Sequence, residues 1–273
     1  MRNNGWMDLG LRDRVYVVTG GSRGLGFAGA EALVDEGARV VLSAPRENTV
    51  AAAAARLSAS IGSPDAVSTV VADNSDPGTP DRLIAAARDR FGRLDGALIS
   101  VGGTPGGTIT STPDDAWRAG FESVFLGAVR LARAVAPNLN GADGPCSISG
   151  TGGSIVMVLA ASVRAPLPEL AISNGLFPGL AGVVKMLAGE LGPTGVRVNG
   201  LMPVRIATDR VRELDALRGD PDEVRARESE QIPLRRYGEP EEFGRAAAFM
   251  LSPAASFTTG AMIPVDGGAI RSI

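Results

Sequence analysis

Short, unbroken apolar runs alternate along the chain with longer segments in which Ala, Leu and Arg recur at helical spacing. The runs predict strands at Val15–Thr19, Arg39–Ser43, Val67–Ala72, Ala97–Ser100, Ser154–Leu159, Val196–Met202 and Ala261–Val265. The segments between them predict helices at Leu25–Glu36, Thr49–Ile61, Thr79–Phe91, Asp114–Ala136, Leu170–Leu191 and Glu239–Leu251. Strands that are apolar throughout need cover on both faces, which a parallel sheet receives from its crossover helices. The expected fold is α/β: a single-domain, Rossmann-type, doubly wound parallel sheet of about seven strands with helices on both faces, over residues 1–273. Ligands of such sheets lie at the carboxyl ends of the strands. Asn140–Gly153 is of low complexity and is expected to be a mobile surface loop, whereas Ala207–Gln231 is a polar helical excursion. Pro178 lies well inside the Leu170–Leu191 segment and predicts a kink or a delayed start there.

Composition narrows the function classes. With 27 basic and 30 acidic residues the formal charge is −3, which offers no basic face for nucleic acid and no attraction to anionic lipid. The single cysteine, Cys146, excludes an intramolecular disulfide framework and suits a reducing compartment. With no histidine to activate it, Cys146 is read as a surface thiol. No metal site is expected without histidines or clustered cysteines. Met1–Leu11 lacks the apolar core of a signal peptide, and no apolar run reaches the ~18 residues of a membrane span. The expected location is cytoplasmic.

The first strand runs into Thr19-Gly20-Gly21-Ser22-Arg23-Gly24-Leu25-Gly26, which opens a helix. Glycines in such a turn permit positive φ and close approach of a pyrophosphate to the helix N-terminus. The chain resembles the short-chain dehydrogenase/reductase family on ordered motifs from about Leu9 onward. Thr19, Gly20, Gly24 and Gly26 match its cofactor signature, and Asp73 its adenine-side acid. Phe91-Gly92-Arg93-Leu94-Asp95 matches the approach to the fourth strand. Val196-Arg197-Val198-Asn199, Pro203, Ile206 and Thr208 match the sixth strand and the loop over the nicotinamide, and Thr259-Gly260 through Val265-Asp266-Gly267-Gly268 the closing strand. The resemblance, strongest to ketoacyl-carrier-protein-reductase-like members, implies cofactor contacts at Gly20, Ser22, Arg23, Gly24, Leu25, Gly26, Arg46, Asp73, Asn74, Gly102, Pro203, Ile206 and Thr208. The second strand ends without the acid that binds the adenosine ribose of NAD, while Arg23 and Arg46 lie where a 2′-phosphate would be met. NADP is preferred to NAD as cofactor.

Register with the family places altered residues at all four catalytic positions. Ser173 stands for the tyrosine, Phe177 for the lysine, Ala160 for the serine and Val124 for the asparagine. The usual glycine after Pro203 is Val204. The chain holds a single lysine, Lys185, two turns beyond Phe177 and so remote from the cofactor, and two tyrosines, Tyr16 and Tyr237, of which Tyr237 is read as a packing residue. Ser173, Asn174 and Ser162 are the candidate catalytic residues, with Arg164 near them. Arg225–Glu230 is read as a solvated helical face.

Three readings follow. The first is an NAD(P)-dependent oxidoreductase acting on a carbonyl or alcohol with a divergent active site, its substrate small and apolar. The second is a catalytically inactive dinucleotide-binding sensor or partner subunit. The third is a non-redox enzyme reusing the pocket. The resemblance also implies a homodimer or homotetramer built on Asp114–Ala136, Leu170–Leu191 and the last strand.

Overall fold

The computed structural model describes residues 8–139 and 152–272. Cys146 and most of the Asn140–Gly153 stretch lie outside the described residues. Seven strands form one sheet: β1 (Val15–Val18), β2 (Arg39–Ala44), β3 (Val67–Val71), β4 (Gly96–Ile99), β5 (Ser154–Val158), β6 (Arg197–Pro203) and β7 (Met262–Val265). Their order is β3-β2-β1-β4-β5-β6-β7 and every pairing is parallel. The order reverses between β1 and β4, which is where such sheets open a crevice.

Alternation along each strand feeds two cores. Val15, Val17, Ala97, Ile99, Ile155 and Met157 face one side, packed by α3 (Thr79–Phe91), α5 (Gly127–Val135) and α6 (Ala171–Leu191). Tyr16, Val18, Leu98, Val156 and Val158 face the other, under α1 (Gly24–Asp35), α2 (Glu47–Ile61) and α9 (Pro240–Leu251). Such two-sided burial explains why the strands read as continuous apolar runs. The predicted helix at Asp114–Ala136 is α4 (Asp114–Gly120) joined to α5 by a π-helical turn, Phe121–Leu126. The polar excursion forms α7 (Asp209–Ala216) and α8 (Pro221–Ser229).

One expectation needs correction. α6 runs unbroken from Ala171 through Pro178 to Leu191, so the helix does not start late. Pro178 is on the exposed side, while Leu176, Phe177, Leu180 and Ala181 hold that stretch to the core. In addition, Ala171–Thr194 is long and apolar enough by composition to cross a bilayer. Half of that window is buried in the protein, and a helix covering a parallel sheet carries the same apolar signature.

Candidate active site

Thr19 builds the glycine-rich turn. Its buried hydroxyl donates to Ser100 O at 2.9 Å and accepts from Ser100 N at 3.0 Å, tying the ends of β1 and β4 together. The turn is then packed too tightly for side chains: a Cβ on Gly26 would stand 2.4 Å from Gly20 O, and one on Gly20 2.9 Å from Ser100 O. Gly20 and Gly24 have φ of 58° and 57°. The N-cap of α1, Arg23, is extended and provides no side-chain cap, and no acid lies in the first turn. In contrast, Thr208 caps α7 through Val211 N, and Asp220 caps α8. The N–H groups opening α1 are therefore available to an anion, aided by the helix dipole.

Above this turn lies a cleft of about 600 Å³. Gly20, Ser22, Arg23, Gly24, Leu25, Arg46, Gly102, Pro203, Ile206 and Thr208, all expected at a cofactor, line it. Gly26, Asp73 and Asn74 do not. Gly26 packs beneath the turn, and Asp73 Oδ1 accepts from Ser75 N and Ser75 Oγ at 2.8 and 2.7 Å. Asn74 Nδ2 donates to Ser100 O at 3.4 Å. Pro45, Thr49, Gly103, Thr104, Leu170, Arg205, Arg210 and Leu214 line the cleft without having been anticipated. A second surface cleft of about 590 Å³ lies at the opposite ends of the strands, near Arg12, Arg39 and Phe91. The carboxyl ends of α1, α2 and α3 face it, which disfavours anions there.

At the expected reaction centre, Ser173 and Phe177 are one helical turn apart on α6 and both line the cleft with Ala160, Val158 and Leu159. Val124 is buried in the core behind it. Ser162 is buried and does not reach the cleft wall; its hydroxyl lies 3.2 Å from both Ser173 Oγ and Ser173 O. Asn174 is the clearest departure. One residue on from Ser173, it is rotated off the cleft face and serves the preceding loop, donating to Leu167 O and accepting from Leu167 N, each at 2.8 Å. Lys185 donates to Gly260 O at 3.2 Å, outside the cleft. No cluster of potential metal ligands occurs among the described residues.

The loop after β6 is held by a buried polar network. Arg205 takes the left-handed conformation (φ 50°), one residue beyond Val204, and its guanidinium meets Asp215 at 2.5 Å and Glu228 at 2.7 Å. Tyr237 OH donates to Asp215 Oδ2 at 2.9 Å. Burial pushes this phenol up to about 12, against the opposing pull of Arg205. Tyr237 is thus a packing residue as expected, but Arg225–Glu230 is more than a solvated face. Arg225 stands 5.2 Å over the Tyr237 ring, and Glu228 joins Arg205 to Arg218.

The fold and this cleft define a Rossmann-type α/β protein of the nucleotide-binding class. The chain belongs to the short-chain dehydrogenase/reductase family: the family profile described as enoyl-(acyl carrier protein) reductase matches residues 20–269. An uncharacterized oxidoreductase of Mycobacterium tuberculosis is 34% identical over 97% of this chain and 94% of its own. The L-rhamnose 1-dehydrogenase (NAD(P)(+)) of Azotobacter vinelandii is 32% identical over 94% and 97%. Among solved structures, L-sorbose reductase from Gluconobacter frateurii, complexed with NADPH and L-sorbose, superposes with a TM-score of 0.87 at 29% identity, covering 98% of this chain and 100% of that one. A short-chain oxidoreductase from Pseudomonas aeruginosa PAO1, described as containing an atypical catalytic center, gives 0.85 at 29% identity over 97% and 100%.

Proposed function

We propose that the protein is an NADP(H)-preferring oxidoreductase acting on the carbonyl or alcohol of a small, largely apolar molecule through a divergent active site. The single observation that carries this is the uncapped α1 N-terminus within a glycine cradle, flanked by Arg23 and Arg46 and by no acid at the end of β2. Those residues fit a dinucleotide: N–H groups for the pyrophosphate and guanidinium forks for a 2′-phosphate. When bound, the nicotinamide gives or takes a hydride.

The chain's own groups do the rest. Val158, Leu159, Ala160 and Phe177 exclude water from one side of the cleft. Ser173 presents a hydroxyl that Ser162 orients, and it hydrogen-bonds the substrate oxygen. An aliphatic hydroxyl is a weaker acid than a phenol, whose pKa is about 10, and Phe177 supplies no charge to help it. Solvent is then the proton source, and orientation carries the rate, where placement alone supplies roughly 7–11 kcal/mol. The same substitution of Phe177 for lysine favours a second reading, a dinucleotide-binding subunit without turnover.

Calorimetric titration with NADPH and NADH, followed by a carbonyl-substrate screen, tests both. Tighter NADPH binding with turnover supports the first reading, and binding without turnover the second. No binding to the folded protein overturns both. Association through α4–α5 and α6 accompanies the proposal, since Phe121 and Met186 are exposed there. Light scattering that shows only monomer would refute association.

A further inference from the structure

We infer that Arg210, acting with Arg23, clamps the phosphates of the cleft's ligand, and that Glu213 is the resident anion holding the clamp until they arrive. The inference rests on the dinucleotide reading above. Glu213 Oε1 lies 3.5 Å from Arg23 Nη1, and Glu213 Oε2 lies 3.5 Å from Arg210 Nη1. Arg23 belongs to the glycine-rich turn, whereas Arg210 and Glu213 belong to α7, so one carboxylate joins two walls of the cleft. Both arginines line it.

Arg210 also reaches the third wall. Its Nη2 donates to Thr104 O at 2.7 Å, and a Cβ on Gly103 would stand 2.8 Å from its Nε. A glycine at 103 thus leaves room for the guanidinium against the loop that follows β4. Nearby the cleft narrows: a Cβ on Gly24 would be 3.7 Å from Thr208 Cγ2. The uncapped N-terminus of α1 opens at this point beside the two arginines, whereas α7 begins with the Thr208 cap and Asp209, so the attraction for a phosphate comes from α1 and the two guanidinium groups.

The Glu213 contacts are long, and the side chains of Arg23, Arg210 and Glu213 are 58%, 37% and 51% exposed. Such pairs hold weakly and are screened by salt. Phosphate oxygens accept shorter, forked bonds from guanidinium and displace the carboxylate, which turns to solvent. Glu213 therefore competes with the ligand and lowers its apparent affinity.

The test is calorimetric titration of the wild type, Glu213→Gln, Arg210→Ala and the double variant with NADPH, and separately with inorganic pyrophosphate, at two salt concentrations. Thermal unfolding confirms that each variant is folded. Glu213→Gln is expected to tighten both probes about three- to fivefold. Arg210→Ala is expected to weaken both about tenfold and to reduce the salt dependence. The double variant should lose most of the gain from Glu213→Gln. If the wild type binds NADPH but neither single substitution changes the affinity, the clamp is refuted and the dinucleotide reading stands. If neither wild type nor Glu213→Gln binds NADPH or NADH, both fail.

Discussion

The Ser173 hydroxyl lies 3.2 Å from the Ser162 hydroxyl, which is also 3.2 Å from the Ser173 carbonyl. Ser162 has one proton and two acceptors. When it donates to the carbonyl, the Ser173 proton is free to turn toward Ser162 or into the cleft. Two buried serines thus form a unit in which one side chain lines the cleft and the other lies within hydrogen-bond reach behind it.

Replacing Ser173 by Ala removes that donor and leaves the glycine cradle untouched. Dinucleotide affinity is expected to stay as in wild type, while kcat for a carbonyl substrate falls by about 10²-fold, the lower end of the cost of losing one hydrogen-bond donor to the reacting oxygen. Steady-state kinetics with unchanged kcat would exclude Ser173 from the chemistry.

Arg46 precedes α2 at the mouth of the cleft, with Thr49 donating to its carbonyl at 2.9 Å. A guanidinium bound to phosphate contributes roughly 1.5–3 kcal/mol, about ten- to a hundredfold in affinity. Arg46→Ala is expected to weaken NADPH by at least the lower figure and to leave NADH unaffected. Equal loss for both dinucleotides would show that Arg46 does not read the 2′-phosphate.

The seven strands and most helices were legible because burial on both faces writes an apolar run that local pattern alone reveals. The lining of the cleft was legible where glycines mark a turn, as at Gly20, where a Cβ would stand 2.9 Å from Ser100 O, and at Gly24, whose φ is 57°. Asn174 was misplaced because adjacency in sequence is not adjacency on a helix: one residue turns the side chain away from the Ser173–Phe177 face. The delayed helix start at Pro178 was misread because packing of Phe177 and Leu180 outweighs one missing backbone bond. Arg205, Arg210 and Glu213 were invisible for a different reason. Arg205 sits in the loop after β6 and Arg210 and Glu213 in the short polar helix α7, and the placement of both depends on contacts distant in sequence, such as Arg210 with Thr104.

Asp215 is 2% exposed and holds both Arg205 and Tyr237. Removing one partner of a buried ion pair leaves the other charge uncompensated and costs about 3–5 kcal/mol. Asp215→Ala is expected to destabilise by the lower part of that range, since Glu228 still meets Arg205. Tyr237→Phe, which removes one hydrogen bond, should cost about 1 kcal/mol. Denaturant unfolding of the two variants compares them directly, and equal costs would show that the charge of Asp215 is not what anchors this loop.

Ser43 Oγ is the one buried side-chain polar atom without a hydrogen-bond partner among the described residues. An unsatisfied buried hydroxyl carries a desolvation penalty of about 1–3 kcal/mol. Ser43→Ala is therefore expected to be neutral or stabilising in the free protein, read as an unchanged or raised thermal midpoint. A clear fall would mean that the hydroxyl has a partner in solution.

Glu242 links pH to the stability of α9. Arg236 meets its two oxygens at 2.7 Å each, and Glu239 N donates to Oε2 at 2.8 Å. The Arg236 bonds first, and the Glu239 amide second, hold this carboxyl down at about 2. In the unfolded chain it titrates near an ordinary glutamate value of about 4.3. Between those two values the unfolded state binds more protons, so the stabilisation is complete above about pH 5 and is lost as pH falls toward 2. The side chain is 38% exposed, so screening keeps the contribution within about 1 kcal/mol. Glu242→Gln is expected to lower the urea midpoint at pH 7, with the gap from wild type closing as pH approaches 2 and narrowing in high salt. A gap that stays constant across that range would assign the effect to shape rather than charge.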